Sequence, residues 1–94
     1  MKVEFKRSFD RTFGRYPITT RQKIHATIER LVVHLEQRQL PHGLGLKLLR
    51  SKSRLWEARV SGDLRLIFRL EQGLIEFGLV GSHDDVRRYL RHSS

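Results

Sequence analysis

Residues 55–80, LWEARVSGDLRLIFRLEQGLIEFGLV, decide how the chain folds. Apolar and polar side chains alternate through them with the period of two that belongs to a pleated strand. In Leu55–Val60, Trp56, Ala58 and Val60 share one side, and Leu55, Glu57 and Arg59 share the other. In Leu64–Leu70 the even positions are Leu64, Leu66, Phe68 and Leu70, set against Arg65, Ile67 and Arg69. In Leu74–Val80 the expected oily side is Ile75, Phe77 and Leu79, with Glu76 opposite. The links Ser61-Gly62-Asp63 and Glu71-Gln72-Gly73 read as three-residue connections containing Gly, of hairpin type. Three antiparallel strands in a meander follow. One face is oily and needs helices over it; the other carries Glu57, Arg59, Arg65, Arg69 and Glu76.

The helices lie upstream. Met1 to Phe5 reads as a short first strand, Val3 and Phe5 alternating with Lys2 and Glu4. Ser8 is placed to cap a short helix whose Phe9 and Phe13 share a face, and Gly14 and Pro17 end it. Thr19 or Thr20 is placed to cap a longer helix reaching about Gln39. Its Ile24, Ile28, Leu31, Val32 and Leu35 have the spacing of one buried stripe. Leu40-Pro41-His42-Gly43 breaks it, and the Leu46–Leu49 run fits either a strand or a helix. A last helix starts in the Ser82–Asp85 segment and continues through Val86, Tyr89 and Leu90. The expected class is α+β: a helix hairpin packed on one face of a small, mainly antiparallel sheet, with a short C-terminal helix. Residues 1–94 make one domain, without repeats or linkers.

Composition narrows the function. The chain carries 19 Lys and Arg against 10 Asp and Glu, a net charge of +9, and fourteen of the cations are Arg. Guanidinium groups grip phosphates with a planar fork and stack on bases, so a polyanionic or strongly acidic partner is expected. A hydrophobic content of 38% with five Phe sets the chain apart from a disordered basic tail. The absence of Cys leaves no disulfide framework and no thiolate zinc site. No apolar run approaches the roughly 20 residues of a membrane helix, and MKVEFKRSFD lacks a signal-peptide core. The expected setting is cytoplasmic, with no membrane partner.

Chemistry concentrates on the polar sheet face. Its charges are either cross-strand pairs that cover a sheet, such as Glu57 with Arg65 or Arg69, or the wall of a phosphate-binding groove. Lys47, Arg50, Lys52 and Arg54 extend the positive surface without an intervening acid. The histidines His25, His34, His42, His83 and His92 form no metal motif. His83 stands out because it follows a strand end, Val80-Gly81-Ser82, where reactive side chains are often displayed. Glycine-rich phosphate loops, nucleophile elbows and helical zinc motifs are all missing.

Three stretches carry a family resemblance: LWEARV at 55–60, DLRLIFR at 63–69 and GSHDDV at 81–86. They resemble the RelE/ParE toxin superfamily of type II toxin–antitoxin modules, and the order of elements extends the resemblance over nearly the whole chain. It implies a cognate antitoxin as partner. For the RelE-like branch it also implies the ribosome and messenger RNA, cut by a metal-independent endoribonuclease without cofactors. Arg65 falls where the family's Arg contacts the scissile phosphate. Arg59 matches another basic position, and His83 a site where relatives use His or Arg. RelE's two alternating lysines are replaced here by Leu55 and Glu57. Glu57 is then either the general base, as a carboxylate is in some relatives, or simply a partner of Arg65. The family's C-terminal Tyr falls on Arg87 counted from Val86 and on Tyr89 counted from Gly81; Tyr89 is the candidate. The implied catalytic set is Arg65, His83, Glu57 and Tyr89. Lys47, Arg50, Lys52, Arg54, Arg59, Arg69 and Arg87 are the implied RNA contacts. Two alternatives stand beside it: a ParE-like toxin that poisons DNA gyrase without catalysis, and a relative that has lost toxicity.

Overall fold

The computed structural model describes residues 1–39 and 42–92. Strand β1 (Lys2–Phe5) is followed by helices α1 (Arg7–Phe13) and α2 (Ile18–Glu36). Strands β2 (Lys47–Arg50), β3 (Leu55–Ser61), β4 (Leu64–Glu71) and β5 (Leu74–Gly81) come next, and then helix α3 (His83–His92). The strands form one sheet in the order β1-β5-β4-β3-β2. The expected meander β3-β4-β5 is its centre, and β1 joins β5 in parallel at one edge. The class is α+β, as the periodicities imply.

Helices α1 and α2 cover the oily face. Phe9, Ile24, Ile28 and Leu31 from the helices bury themselves against Ala58, Leu66, Phe68, Ile75, Phe77 and Val80 from the sheet. Aromatic rings organise the centre of this layer. The Phe77 ring lies 6.0 Å from that of Phe68 and 6.1 Å from that of Phe9, both tilted, the arrangement that ring quadrupoles favour. Trp56 and Leu35 pack at the margin, half-buried.

One expectation about β5 is corrected. Ile67 pairs with Leu79 but Phe68 pairs with Phe77, so Gly78 is an extra residue in β5, a bulge. The bulge reverses the alternation. Val80, not Leu79, joins the helix-covered core beside Ile75 and Phe77. Leu79 turns to the opposite face and packs there with Leu55, Ile67 and Val86. That second face is therefore an apolar patch flanked by charges rather than a polar surface, and the Val86, Tyr89 and Leu90 stripe of α3 covers it. Any side chain at the bulge would have to displace Tyr89: a Cβ on Gly78 would lie 2.6 Å from its hydroxyl.

Helix α1 satisfies the bulge's backbone. The Ser8 hydroxyl donates to the Gly78 carbonyl, and the Val80 N–H donates to Thr12 Oγ1 at 3.3 Å. Ser8 is thus diverted from the capping role expected of it; Lys6 occupies the N-cap without a side-chain bond. Helix α2 likewise starts after Pro17, so Thr19 and Thr20 fall inside its first turn and neither caps it. A fixed proline φ suits a helix entrance and replaces the hydroxyl cap. The helix stops at Glu36 instead of Gln39, and Arg38 adopts a left-handed φ of 56°. The Leu40-Pro41 half of the breaker lies outside the described residues. Both hairpin links are a residue shorter than expected, Gly62-Asp63 and Gln72-Gly73, because the ladders run through Ser61 and Glu71.

Candidate active site

Register brings two arginines face to face. Arg59 on β3 pairs directly with Arg65 on β4, and Arg65 pairs with Gly81 on β5. Like charges directly opposite each other destabilise a sheet. Their placement needs either acidic neighbours or an anion from outside. One neighbour is Glu57, one row along the same face: its carboxylate lies 3.6 Å from the Arg65 guanidinium. Glu57 is only 7% exposed, whereas Arg59 is open to solvent. A buried carboxylate needs such a counter-charge. The pair leaves Arg65 incompletely used. Its Nε is buried, and among the described residues no acceptor meets it. Lys47, opposite Glu57 on β2, and Arg59 add exposed cations to the same side.

The sequence turns from β5 into α3 at this row. Ser82 and Asp85 form a reciprocal cap. The Ser82 N–H and hydroxyl both donate to Asp85 Oδ2 at 2.9 Å, and the Asp85 N–H donates to Ser82 Oγ at 3.2 Å. His83 is thereby fixed as the first residue of α3, two residues past Gly81 and exposed. Its N–H also donates to Asp63 Oδ1 at 3.4 Å, tying the helix start to the β3–β4 turn. The cap holds the Asp85 carboxyl below its usual range, chiefly through the Ser82 N–H, then the Ser82 hydroxyl and the nearby Arg88 and Arg15; partial burial opposes them. A carboxyl lowered in the folded state contributes stability above its unfolded pKa of about 4 and loses it as pH falls through the lower folded value. Amide protection factors at the start of α3, corrected for intrinsic exchange, should therefore fall on acidification through that window. In Asp85→Asn they should no longer depend on this titration.

The remaining candidates divide. Tyr89 lies two turns beyond His83, and its hydroxyl rests on the Gly78 bulge. It lines a cleft of about 370 Å³ with Lys6, Ser53, Leu55, Arg69 and Glu76, away from the Arg59–Arg65 row. Arg69 is already engaged there: Nε donates to Glu76 at 3.2 Å, and Nη1 meets Glu71 at 2.6 Å. The Glu76 hydrogen bond is the main reason its pKa is raised. Arg50 donates to the Leu90 carbonyl and so anchors α3. Lys47, Lys52, Arg54 and Arg87 remain exposed. A second basic groove, about 450 Å³ between α1 and α3, is lined by Arg11, Arg15, Arg88 and His92. Arg11 and Arg15, and Arg88 and His92, are each spaced i, i+4 in the sequence, a signal legible only once the end of α1 lies beside α3. Among the described residues no cluster of three His, Asp or Glu is placed to hold a metal. No described helix is long and apolar enough to cross a membrane.

No sequence-family model and no curated protein matches the chain. Solved structures do. The RelB–RelE antitoxin–toxin complex from Methanococcus jannaschii matches with a TM-score of 0.71 and 20% identity, over 93% of this chain and 98% of that one. The chain has the fold of the RelE-type toxins. The Escherichia coli DinJ–YafQ complex matches with a TM-score of 0.67 at 19% identity, over 90% and 96% of the two chains. A copper-bound L66S mutant toxin from Helicobacter pylori matches with a TM-score of 0.66 at 16% identity, over 92% and 98%. This RelE-type fold places the Arg59–Arg65 row and His83 at one end of the central strands, and Tyr89 farther along α3.

Proposed function

We propose that the chain is the toxin of a type II toxin–antitoxin pair, a ribosome-dependent endoribonuclease that cleaves messenger RNA and so stops translation. One observation carries this reading: Arg65, whose buried Nε meets no acceptor among the described residues, has the Arg59 cation opposite it on β3 and Gly81, two residues before His83, opposite it on β5. Two cations and a proton-transfer group at one strand end suit a phosphodiester. The fold shared with RelE and YafQ toxins solved in complex with RelB and DinJ supports the antitoxin partner. It also favours the RelE-like branch over a gyrase-binding one. A gyrase poison has no use for a proton donor beside an arginine pair.

The chemistry follows from RNA itself. Its 2′-hydroxyl is the nucleophile that DNA lacks. Glu57 accepts the 2′ proton as that oxygen attacks the adjacent phosphorus. Arg65 and Arg59 stabilise the charge that builds on the phosphoryl oxygens. The bond from phosphorus to the 5′-oxygen breaks, and His83 in its protonated form donates the proton the leaving oxygen takes up. A 2′,3′-cyclic phosphate and a free 5′-hydroxyl result. Lys47, Lys52, Arg54 and Arg87 hold flanking phosphates, and Tyr89, seated on the Gly78 bulge, keeps α3 in place rather than reacting.

Messenger RNA mapped on programmed ribosomes tests this directly. The purified chain should produce discrete cuts that end in cyclic phosphates, and it should leave gyrase supercoiling unaffected. Inhibited supercoiling with intact messenger would replace the ribonuclease with the gyrase reading.

A further inference from the structure

We propose that the free chain associates with a second copy of itself edge to edge through β1, joining two five-stranded sheets antiparallel across a twofold axis. Strand β1 pairs with β5 on one side, and among the described residues no strand lies on its other side. The direction of its backbone groups is set by two bonds. The Lys2 N–H donates to the Gly73 carbonyl at 2.8 Å and the Lys6 N–H to the Phe77 carbonyl at 2.9 Å. Even-numbered residues therefore turn their amides toward β5, and Val3 and Phe5 turn theirs outward. Exposed edges of this kind are usually blunted by a proline, a bulge or a single-sign charge. Residues 1–5 have none of these, and Met1, Val3 and Phe5 are 41%, 36% and 46% exposed along the face that α1 covers elsewhere.

Charge selects one register. Pairing centred on Val3 sets Val3 opposite Val3 of the second copy and Phe5 opposite its Met1, the outward-facing residues exchanging hydrogen bonds. On the other face the same register sets Lys2 opposite Glu4 and Glu4 opposite Lys2, two opposite-charge pairs. Sliding by two residues sets Lys2 against Lys2 in one direction and Glu4 against Glu4 in the other. The strand is thus complementary to itself in a single antiparallel register, the condition for an isologous contact. A partner strand from another protein would have to supply this complement; a second copy already carries it. The edge lies at the far side of the sheet from β2, so the Lys47–Arg54 surface stays open in the dimer. Four residues bury little area, and the association is accordingly weak and concentration-dependent.

Sedimentation equilibrium of the purified chain, from about 10 μM to 1 mM, reads this out as a reversible monomer–dimer equilibrium. Lys2→Glu and Glu4→Lys each convert both charge pairs to like charges and should raise the dissociation constant about tenfold or more. The double variant restores both pairs with reversed sign and should regain the wild-type constant. Val3→Pro removes an N–H that faces away from β5. It should be monomeric with an unchanged melting temperature. A chain that stays monomeric at 1 mM overturns the proposal. So does a dimer indifferent to the single charge changes, or one that the double variant fails to restore.

Discussion

His83→Ala should lower the single-turnover rate of messenger cleavage on programmed ribosomes by about 10²–10⁴-fold while ribosome binding stays nearly unchanged. The expectation comes from position. His83 is the first residue of α3, held by the Ser82–Asp85 cap and the Asp63 contact, and exposed beside the Arg65–Gly81 pair. Its backbone supplies the tether, so removing the imidazole leaves the helix start intact. Arg65→Ala should cost about 10²–10³-fold, because the lost charge stabilises the phosphoryl oxygens only as the transition state forms. That variant also strands the Glu57 carboxylate, so its melting curve is needed beside its rate. Arg65→Ala in a Glu57→Gln background, compared with Glu57→Gln alone, isolates the arginine's contribution, since that background holds neither a stranded carboxylate nor the general base. Lys52→Ala should behave differently. It should weaken binding, reduce the salt slope by about one, and leave cleavage at saturation unchanged. Wild-type cutting by His83→Ala removes this residue from the chemistry. Wild-type cutting by Arg65→Ala as well would make the arginine row an ordinary solvated surface.

The sequence made the meander readable because Leu55–Val60 and Leu64–Leu70 alternate over lengths that fit strands, with Leu55 and Ile67 the only apolar residues on the charged side. The α2 stripe was readable for the same kind of reason. Gly78 was not. Its single extra residue carries no apolar or charged signal of its own, yet it exchanges the roles of Leu79 and Val80 and so creates an apolar seat for α3. A glycine inside a strand pattern is the one local hint of such a bulge. The caps were misplaced for two reasons: a tertiary contact claimed the Ser8 hydroxyl for the Gly78 carbonyl, and Pro17 took the helix entrance expected of Thr19 or Thr20. Arg65, Glu57 and His83 could be singled out from the sequence, but their relations could not. That Arg59 stands opposite Arg65 depends on register. That Tyr89 sits apart from that row depends on the path of α3, which the bulge directs.

Phe68→Ala should destabilise the fold by about 3–5 kcal/mol, the range for removing a fully buried phenyl ring. Phe68 is 2% exposed at the middle of β4, against Phe77 at 6.0 Å and within the layer that α1 and α2 cover. Phe68 pairs with Trp56 on β3 and Phe77 on β5 in the middle of the sheet, a rigid setting in which a cavity is costly. A domain of this length has a total stability of about 5–14 kcal/mol, so the loss is a substantial fraction of it. In thermal melts that corresponds to a drop of well over about 10 °C. Phe68→Leu preserves most of the volume and should cost less than about 1.5 kcal/mol. Phe5→Ala, at an edge where the ring is nearly half exposed, should also cost less than Phe68→Ala. Denaturant titration of the three variants checks the order. A Phe68→Ala midpoint within experimental error of wild type would mean that the ring does not lie between the sheet and the helix hairpin, and the packing on which the Arg65 strand depends would have to be redrawn.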